Sequence, residues 1–149
     1  MVFKSHMEQA LSEARAAADR GEVPVGAVLI DPRGQVAAIA GNRTREHCDP
    51  TAHAEILTIR AACAASGSER LAGYDLYVTL EPCAMCAAAI AAARISRVYY
   101  GASDPKSGGV AHGAKVFSHA QAHHTPEVYD GISEDEAERM LKEFFAARR

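Results

Sequence analysis

Apolar side chains recur along the chain at two spacings, and each spacing predicts a different kind of element. Over residues 7–20 they lie three and four positions apart, which predicts an amphipathic helix that ends at Gly21. Residues 23–30 and 35–41 are short, mostly apolar runs of the kind that forms strands. The segment 31–34 between them contains a proline and is typical of a turn, so the two runs predict a β-hairpin.

The middle of the chain alternates between helical and strand patterns. Asp49 and Pro50 suit the N-cap and the first turn of a helix, and Pro82 also suits a helix start. Two segments are rich in β-branched and aromatic residues, which favour strands. The predicted order is helix, strand, helix and strand, over residues 51–66, 75–80, 83–95 and 97–102.

The C-terminal part predicts a long loop, a short strand and a closing helix. Residues 103–126 are rich in Gly, His, Ser and Pro, which predicts a loop with one short helix around residues 114–120, and residues 127–131 predict a short strand. Ser133 and Glu136 have the spacing of a capping box, which predicts the start of the closing helix. Its apolar residues are expected to share one face: Met140, Leu141, Phe144 and Phe145.

Strands that alternate with helices of this length predict one α/β domain of three layers, which we expect to span residues 1–149. Hydrophobic residues make up 48% of the chain and charged residues 23%, as in ordinary globular proteins. No apolar run approaches the roughly 20 residues of a membrane span, and the N-terminus lacks the apolar block of a secretory signal. We therefore expect a cytoplasmic protein with reduced thiols and no contact with a membrane. A net charge of −3 does not favour nucleic-acid binding, although a local basic patch is compatible with it.

Two cysteines at one predicted helix start and a histidine near another form a candidate metal site. Cys83 and Cys86 are three positions apart, so on a helix their side chains lie about 60° apart around the axis and can face one point. His53 precedes Cys83 by thirty residues. Two cysteines and one histidine make up three of the four ligands of a tetrahedral zinc ion. A structural zinc site closes with a fourth protein ligand, whereas a catalytic site leaves that position to water.

Two other cysteines and one carboxylate bear on which kind of site this is. Cys63 lies ten residues after His53 on the same predicted helix, about 15 Å away, so we expect a small buried residue rather than a ligand. Cys48 precedes His53 in a loop and could reach the metal, although an unpaired thiol is the favoured interpretation. Glu55 is the one carboxylate that the sequence holds next to the metal, but on an ideal helix it would point away from His53. It is therefore either a proton shuttle for zinc-activated water or a solvated glutamate of the first turn.

These residues resemble a known zinc signature. His-x-Glu at residues 53–55, followed by Pro-Cys-x-x-Cys at residues 82–86, is similar to the signature of the cytidine and nucleobase deaminases. Flanking segments are similar to those of the bacterial tRNA-specific adenosine deaminases: "EVPVGAVL", "GNR", "DPTAHAEI", "LYVTLEPCAMC", "ARI", "YYGASDPKSGG" and "EFFAARR". The resemblance extends from about residue 7 to the end of the chain.

The resemblance implies a fold, a reaction and an assembly. The fold would be a cytidine-deaminase-like α/β/α arrangement with a five-stranded mixed sheet flanked by helices. The protein would be a homodimer with one zinc ion per subunit, each site being completed near the partner. The reaction would be the zinc-dependent hydrolysis of adenosine to inosine at the wobble position of the tRNA anticodon loop.

The resemblance also assigns roles to individual residues. His53, Cys83 and Cys86 would bind zinc, and Glu55 would be the catalytic proton shuttle. The other assignments are contacts with the target base or with the surrounding RNA: Asn42, Ala54, Asp104, Lys106, His123, Phe145 and Arg148.

The chain departs from the family pattern in three places. It has His123-His124 where the family has Asn-His, so the RNA contact of His123 depends on a changed sequence. Residues 111–117 differ from the usual Gly-Ser-rich segment, and Ala88 stands where a glycine is common. The remaining histidines of the C-terminal loop are expected on the surface or in local hydrogen bonds rather than as metal ligands: His112, His119 and His124.

Three other interpretations are compatible with the sequence. A deaminase of free nucleobases, guanine or cytosine, would share the zinc chemistry, and the negative net charge suits a small substrate. A non-enzymatic zinc-stabilised binding module would need a fourth protein ligand, for which Cys48 is the best candidate. A thioredoxin-like redox protein would use Cys83 and Cys86 but would need neither His53 nor Glu55.

Overall fold

The structure, a computed structural model, describes residues 3–148, and within them strands alternate with helices. The α-helices are α1 (Met7–Asp19), α2 (Ala54–Ser66), α3 (Ala84–Ala93) and α4 (Glu134–Ala146). The strands are β1 (Gly26–Ile30), β2 (Val36–Gly41), β3 (Asp75–Leu80), β4 (Arg97–Ala102) and β5 (Glu127–Tyr129), and a single 3-10 turn lies at Val116–Ser118. The predicted domain bounds, residues 1–149, include residues 1, 2 and 149, which lie outside the described range.

All five strands form one sheet, in the order β2-β1-β3-β4-β5. β1 is antiparallel to both of its neighbours, and it pairs Val28 with Ile39 of β2 and with Tyr77 of β3. β3, β4 and β5 are parallel, and they pair Tyr77 with Tyr99 and Tyr99 with Tyr129. The predicted hairpin and the predicted five-stranded mixed sheet are therefore confirmed.

Helices cover both faces of the sheet, which confirms the predicted three layers. α1 and α4 pack on one face, and α2 and α3 pack on the other. Side chains alternate along a strand, so in β3 Leu76 and Val78 belong to the cluster under α2 and α3, whereas Tyr77 belongs to the cluster under α1. Among residues 3–148, none of the helices combines the length and the apolar character needed to cross a bilayer.

The helices that follow β2 and β3 begin later than their sequences predict. Asp49 does not cap α2, because its carboxylate accepts hydrogen bonds from the amide and the hydroxyl of Thr51 and so closes a separate turn. Pro50 belongs to that turn rather than to a first helical turn. The true N-caps are His53 for α2 and Cys83 for α3.

The closing helix α4 starts where predicted, but without a capping box. Ser133 has a left-handed backbone, with φ of 58°, and its side chain makes no capping hydrogen bond, since a capping box requires extended backbone at that position. The predicted apolar face also divides. Phe144 is buried, whereas Phe145 is 47% exposed, because neighbouring positions on a helix point about 100° apart.

Candidate metal centre

Three donor atoms from two helix starts meet at one point. The Nδ1 atom of His53 lies 3.6 Å from the sulfur of Cys83 and 3.4 Å from the sulfur of Cys86. All three donor atoms lie within 4.8 Å of one another. The structure therefore assembles the His, Cys and Cys residues that the sequence analysis singled out.

The local backbone explains why these side chains converge. His53 and Cys83 are the N-cap residues of α2 and α3, and both have extended backbone, with φ and ψ of −72° and 154° at His53 and of −71° and 173° at Cys83. Neither side chain caps its own helix, so both are available to other partners. Cys86 follows in the first turn of α3 and is fully buried. The positive ends of two helix dipoles meet here, and they favour thiolates.

The two thiols and the imidazole are electrostatically linked. A hydrogen bond with Cys86, together with one from His53, lowers the pKa of the Cys83 thiol to about 4. The same hydrogen bond and burial raise the pKa of the Cys86 thiol. The bond to Cys83 raises the pKa of His53.

This donor set fits a zinc ion. One imidazole nitrogen and two thiolate sulfurs are ligands that zinc prefers, and they occupy three positions of a tetrahedron. Cys48 is exposed and lies outside the cluster, with its sulfur 3.8 Å from the carbonyl oxygen of Arg45. Cys63 also lies outside it. Within residues 3–148, the cluster therefore consists of three protein donors rather than four.

Glu55 lies beside the three donors, which the argument from an ideal helix did not predict. That argument treated His53 as helical, whereas His53 is the N-cap of α2 and has extended backbone. The Glu55 carboxyl is buried, with 3% of the residue exposed, and it lines the same pocket as His53 and Cys83. Burial raises the pKa of the Glu55 carboxyl to about 7. The alternative of a solvated first-turn glutamate is therefore wrong.

A pocket of about 270 Å³ opens above the metal centre. Its walls combine apolar side chains with a few polar ones, as in small-molecule sites. The residues that line it include four that the sequence analysis assigned to catalysis or substrate contact: Asn42, Ala54, Glu55 and Asp104. Apolar residues that border it are Val23, Val25 and Leu80. The volume and the lining of the pocket are compatible with a planar nucleobase.

Asn42, at the end of β2, is held firmly at the pocket wall. Its amide nitrogen donates to the carbonyl of Val25 at 3.0 Å, and its own carbonyl accepts a hydrogen bond from Arg20 at 3.1 Å. The backbone of Thr44 donates to the side-chain oxygen of Asn42 at 3.4 Å. Two hydrogen bonds therefore fix the backbone of Asn42, and the one from Thr44 orients its side-chain oxygen.

A groove of about 670 Å³ continues from the pocket. The two share Val23, Leu80, Asp104 and Ser107 as lining residues. The groove also contains three residues that the resemblance assigns to RNA: Lys106, Phe145 and Arg148. The structure thus places two cationic residues and an exposed aromatic ring next to the pocket.

His123 is the one predicted contact residue that the structure does not bring to either surface. It lines a separate pocket together with Ala88, Val116 and Ala122. Three other histidines make local hydrogen bonds, as predicted. His112 contacts Glu81, His119 accepts from the amide of Gln121, and His124 contacts the carbonyl of Ile95.

Two buried carboxylates that the sequence analysis did not single out hold the loops around the pocket. Glu22 is 1% exposed and Glu81 is 2% exposed. Glu22 accepts hydrogen bonds from the backbone amides of Arg45 and Glu46. Glu81 accepts hydrogen bonds from four backbone amides of the loop after β4: Asp104, Val110, Ala111 and His112. Burial opposes ionisation of Glu81, but these hydrogen bonds and the one from the His112 ring lower its pKa overall. Neither residue carries a sequence pattern of its own: Glu81 directly follows the strand β3, whereas Glu22 lies between α1 and β1.

The chain is similar in sequence and in fold to known proteins. The family model for the cytidine and deoxycytidylate deaminase zinc-binding region matches residues 3–102. A tRNA-specific adenosine deaminase of Agrobacterium fabrum is 58% identical over 150 residues, which cover 100% of this chain and 98% of that protein. A solved structure from a study of A-to-I editing by tRNA deaminases at the wobble position of transfer RNA has a TM-score of 0.89 and 61% identity, over 91% of this chain and 97% of that chain. A guanine deaminase from Nitrosomonas europaea, with a TM-score of 0.80 and 23% identity over 98% and 87% of the two chains, shares the fold alone.

Proposed function

Since this chain belongs to the cytidine and deoxycytidylate deaminases, and within them to the tRNA-specific adenosine deaminases, we propose that it hydrolyses adenosine to inosine at the wobble position of a tRNA anticodon. The observation that carries the proposal is the His-Cys-Cys cluster beside a buried glutamate at the base of a nucleoside-sized pocket. The resemblance inferred from the zinc signature and its flanking segments is thereby confirmed.

His53, Cys83 and Cys86 would hold one zinc ion per subunit. A zinc ion with these ligands acts as a Lewis acid that makes water nucleophilic near neutral pH. Two thiolates balance its double positive charge, and the ion would border the pocket that His53 and Cys83 line. The family match to a zinc-binding region supports this assignment.

Glu55 would move the protons of the reaction. Water adds to C6 of adenine, and its proton passes to the Glu55 carboxylate. Glu55 then delivers this proton to N1 of the ring. It next transfers the proton of the new C6 hydroxyl to the amine, the bond between C6 and the amine breaks, and ammonia leaves while the C6 carbonyl of inosine forms. The buried Glu55 carboxyl lines the pocket beside two of the proposed ligands, which supports this role.

The pocket and the groove would divide the recognition of the substrate. The amide of Asn42 and the backbone of Ala54 would hydrogen-bond the flipped-out base in the pocket. Asp104, Lys106, Phe145 and Arg148 would contact the nucleotides on either side of it, since they line the adjoining groove. His123 lines neither surface and is assigned no contact with the base or its neighbours.

We also propose a cytoplasmic homodimer. The exposed side of α3 is apolar, with Met85 36% exposed and with Ala84, Ala88 and Ala92 exposed beside it. A second subunit would bury this surface. A cytoplasmic location agrees with the tRNA substrate and with four cysteines that are all free thiols.

The choice between tRNA and a free nucleobase as substrate can be tested directly. Purified protein is incubated with a tRNA that carries a wobble adenosine, with free guanine and with free cytosine. We expect inosine in the tRNA, read as guanosine after reverse transcription, and no turnover of either free base. Turnover of a free base without reaction of the tRNA would establish the alternative of a free-base deaminase.

The two remaining alternatives receive less support. A zinc-stabilised binding module needs a fourth protein ligand, and the best candidate, Cys48, lies outside the donor cluster. A thioredoxin-like redox protein has no use for a metal, whereas Cys83 and Cys86 share their site with His53. About one zinc ion per chain in protein purified without added metal would exclude the redox interpretation.

Phe145→Ala is expected to raise the KM for an anticodon stem-loop about tenfold, with little change in kcat. The ring is exposed in the groove, where a base stacked on it would contribute about 1–3 kcal/mol. Ile39→Ala is a matched control, since Ile39 is equally exposed at 47% but lies on β2 outside the groove. Steady-state kinetics of the three proteins provide the measurement. Equal KM values for Phe145→Ala and the wild type would exclude a stacking role.

A further inference from the structure

The loop that follows β4 packs closely against the turn that contains Cys83. We call residues 103–113 the pocket loop. It contributes Asp104 and Ser107 to the pocket, and Lys106 to the groove. The cysteine turn comprises residues 81–84, which link β3 to α3 and include the first residue of α3. The pocket loop therefore connects the substrate surfaces to the proposed metal ligands.

Glu81 is the main link between the pocket loop and the cysteine turn. One of its carboxylate oxygens accepts hydrogen bonds from the amide of Asp104 at 3.0 Å and from the ring of His112 at 2.8 Å. The other accepts from three consecutive amides, those of Val110, Ala111 and His112, at 3.0–3.2 Å. Five hydrogen bonds from one loop thus end on one buried side chain.

Two glycines make this close approach possible. A Cβ atom at Gly108 would overlap the Glu81 carboxylate, and one at Gly109 would lie 2.5 Å from the nitrogen of Ala84. The amide of Gly109 donates to the carbonyl of Pro82 at 2.8 Å. Side chains at these positions would push the pocket loop away from the cysteine turn.

The energetic weight of Glu81 follows from its burial. The backbone amides that donate to it are partly buried, and a buried donor left without a partner destabilises the folded loop. No other single side chain within residues 3–148 accepts as many hydrogen bonds from this loop. In a glutamine, an NH₂ group would replace one of the two oxygens and would face the two or the three N–H donors bound there. The side chain of glutamine therefore cannot replace the carboxylate.

We propose that Glu81 is a positioning residue for substrate binding, because its carboxylate holds the pocket loop, with Asp104 and Ser107, in register with the cysteine turn. Glu81 borders the pocket, but its side chain is fully buried and both of its carboxylate oxygens accept hydrogen bonds from the pocket loop, so we assign it no step of the reaction. Its effect passes through the backbone of the pocket loop to the wall of the pocket and to Lys106 in the groove. This inference rests on the proposed function for its kinetic consequence, but its structural consequence is independent of any substrate.

The first test needs no substrate. Glu81→Gln is expected to keep its zinc and to exchange the amide hydrogens of Asp104 and of residues 110–112 at least about tenfold faster than the wild type. Glu69→Gln, at an exposed position in the loop after α2, is the control and should match the wild type. Unchanged exchange in the pocket loop would overturn the proposal. Faster exchange throughout the chain together with lost zinc would also overturn it, since Glu81 would then be a general stabilising residue.

The second test separates substrate binding from chemistry. Glu81→Gln is expected to raise the KM for an anticodon stem-loop about tenfold and to lower kcat by less than about threefold. Gly109→Ala displaces the pocket loop while it leaves Glu81 in place, so it should give the same pattern even if Glu81→Gln folds poorly. An equal loss in kcat with unchanged KM in both variants would contradict a positioning role. If the proposed function itself is wrong, neither protein acts on the stem-loop but the exchange result still stands.

Discussion

Glu55→Gln is expected to lower the rate of inosine formation in tRNA by about 10²- to 10⁴-fold while the protein keeps its zinc. Glutamine has the size of the glutamate but cannot accept a proton from water and return it to the base. Glu55 is only 3% exposed, so bulk water cannot easily substitute for its carboxylate. The measurement is a single-turnover rate on a stem-loop with a wobble adenosine, together with the zinc content by mass spectrometry.

A first-turn glutamate of another helix provides the control for this experiment. Glu134 occupies the first turn of α4 and is exposed, so Glu134→Gln should retain the wild-type rate. A wild-type rate in Glu55→Gln would remove Glu55 from the proton transfers. Loss of zinc in that variant would assign its effect to the metal site instead of to the chemistry. Glu55→Ala should behave like Glu55→Gln, since both lack the carboxylate.

Cys86→Ala is expected to reduce bound zinc from about one ion per chain to less than about a tenth, and to bring inosine formation below detection. Cys86 supplies one of three proposed ligands, and the site has no spare thiol within reach in the described part of the chain. Because metal binding and folding are coupled, the midpoint of thermal unfolding should also fall. Zinc analysis, a thermal melt and the stem-loop assay on one preparation measure all three effects.

The exposed Cys48 provides the matched control and tests the binding-module interpretation at the same time. Cys48→Ser should retain zinc, activity and thermal stability, since the thiol lies outside the cluster. If Cys48→Ser loses its zinc, Cys48 is a fourth ligand and the site is structural rather than catalytic. If Cys86→Ala retains a full zinc ion and its activity, the proposed ligand set is wrong.

The elements were predictable because their patterns are local. Residues 7–20 carry a helical repeat, and the observed α1 spans Met7–Asp19. The predictions were wrong at helix starts, where one or two hydrogen bonds determine which residue caps the helix. Asp49 bonds Thr51 instead of capping α2, and Ser133 takes a left-handed backbone that removes the capping box. The hydrogen bonds at a helix start depend on the position and direction of the backbone where the preceding strand ends, and local propensity does not contain that information.

The candidate metal ligands were predictable from residue type, whereas the place of Glu55 was not. Cysteine and histidine at these spacings favour zinc whatever the exact backbone. The direction of Glu55 relative to His53 depends on one dihedral pair, since His53 is extended and not helical. Residue type also did not reveal Glu81, because a single acidic residue has no pattern of its own. Its role follows from a loop that returns from more than twenty residues farther along the chain.

By itself the sequence determined the three-layer α/β architecture, the His, Cys and Cys donors and the likeness to deaminases, because each depends on residue types at short or fixed spacings. Tertiary structure alone decided that Glu55 lies beside the donors and that Phe145 lines the groove instead of the core. It also decided that His123 lies in a separate pocket and that Glu81 accepts the hydrogen bonds of the pocket loop. The physical reason is that side-chain direction and loop path depend on contacts between segments that are distant in the chain. Those contacts exist only after the sheet has brought the segments together.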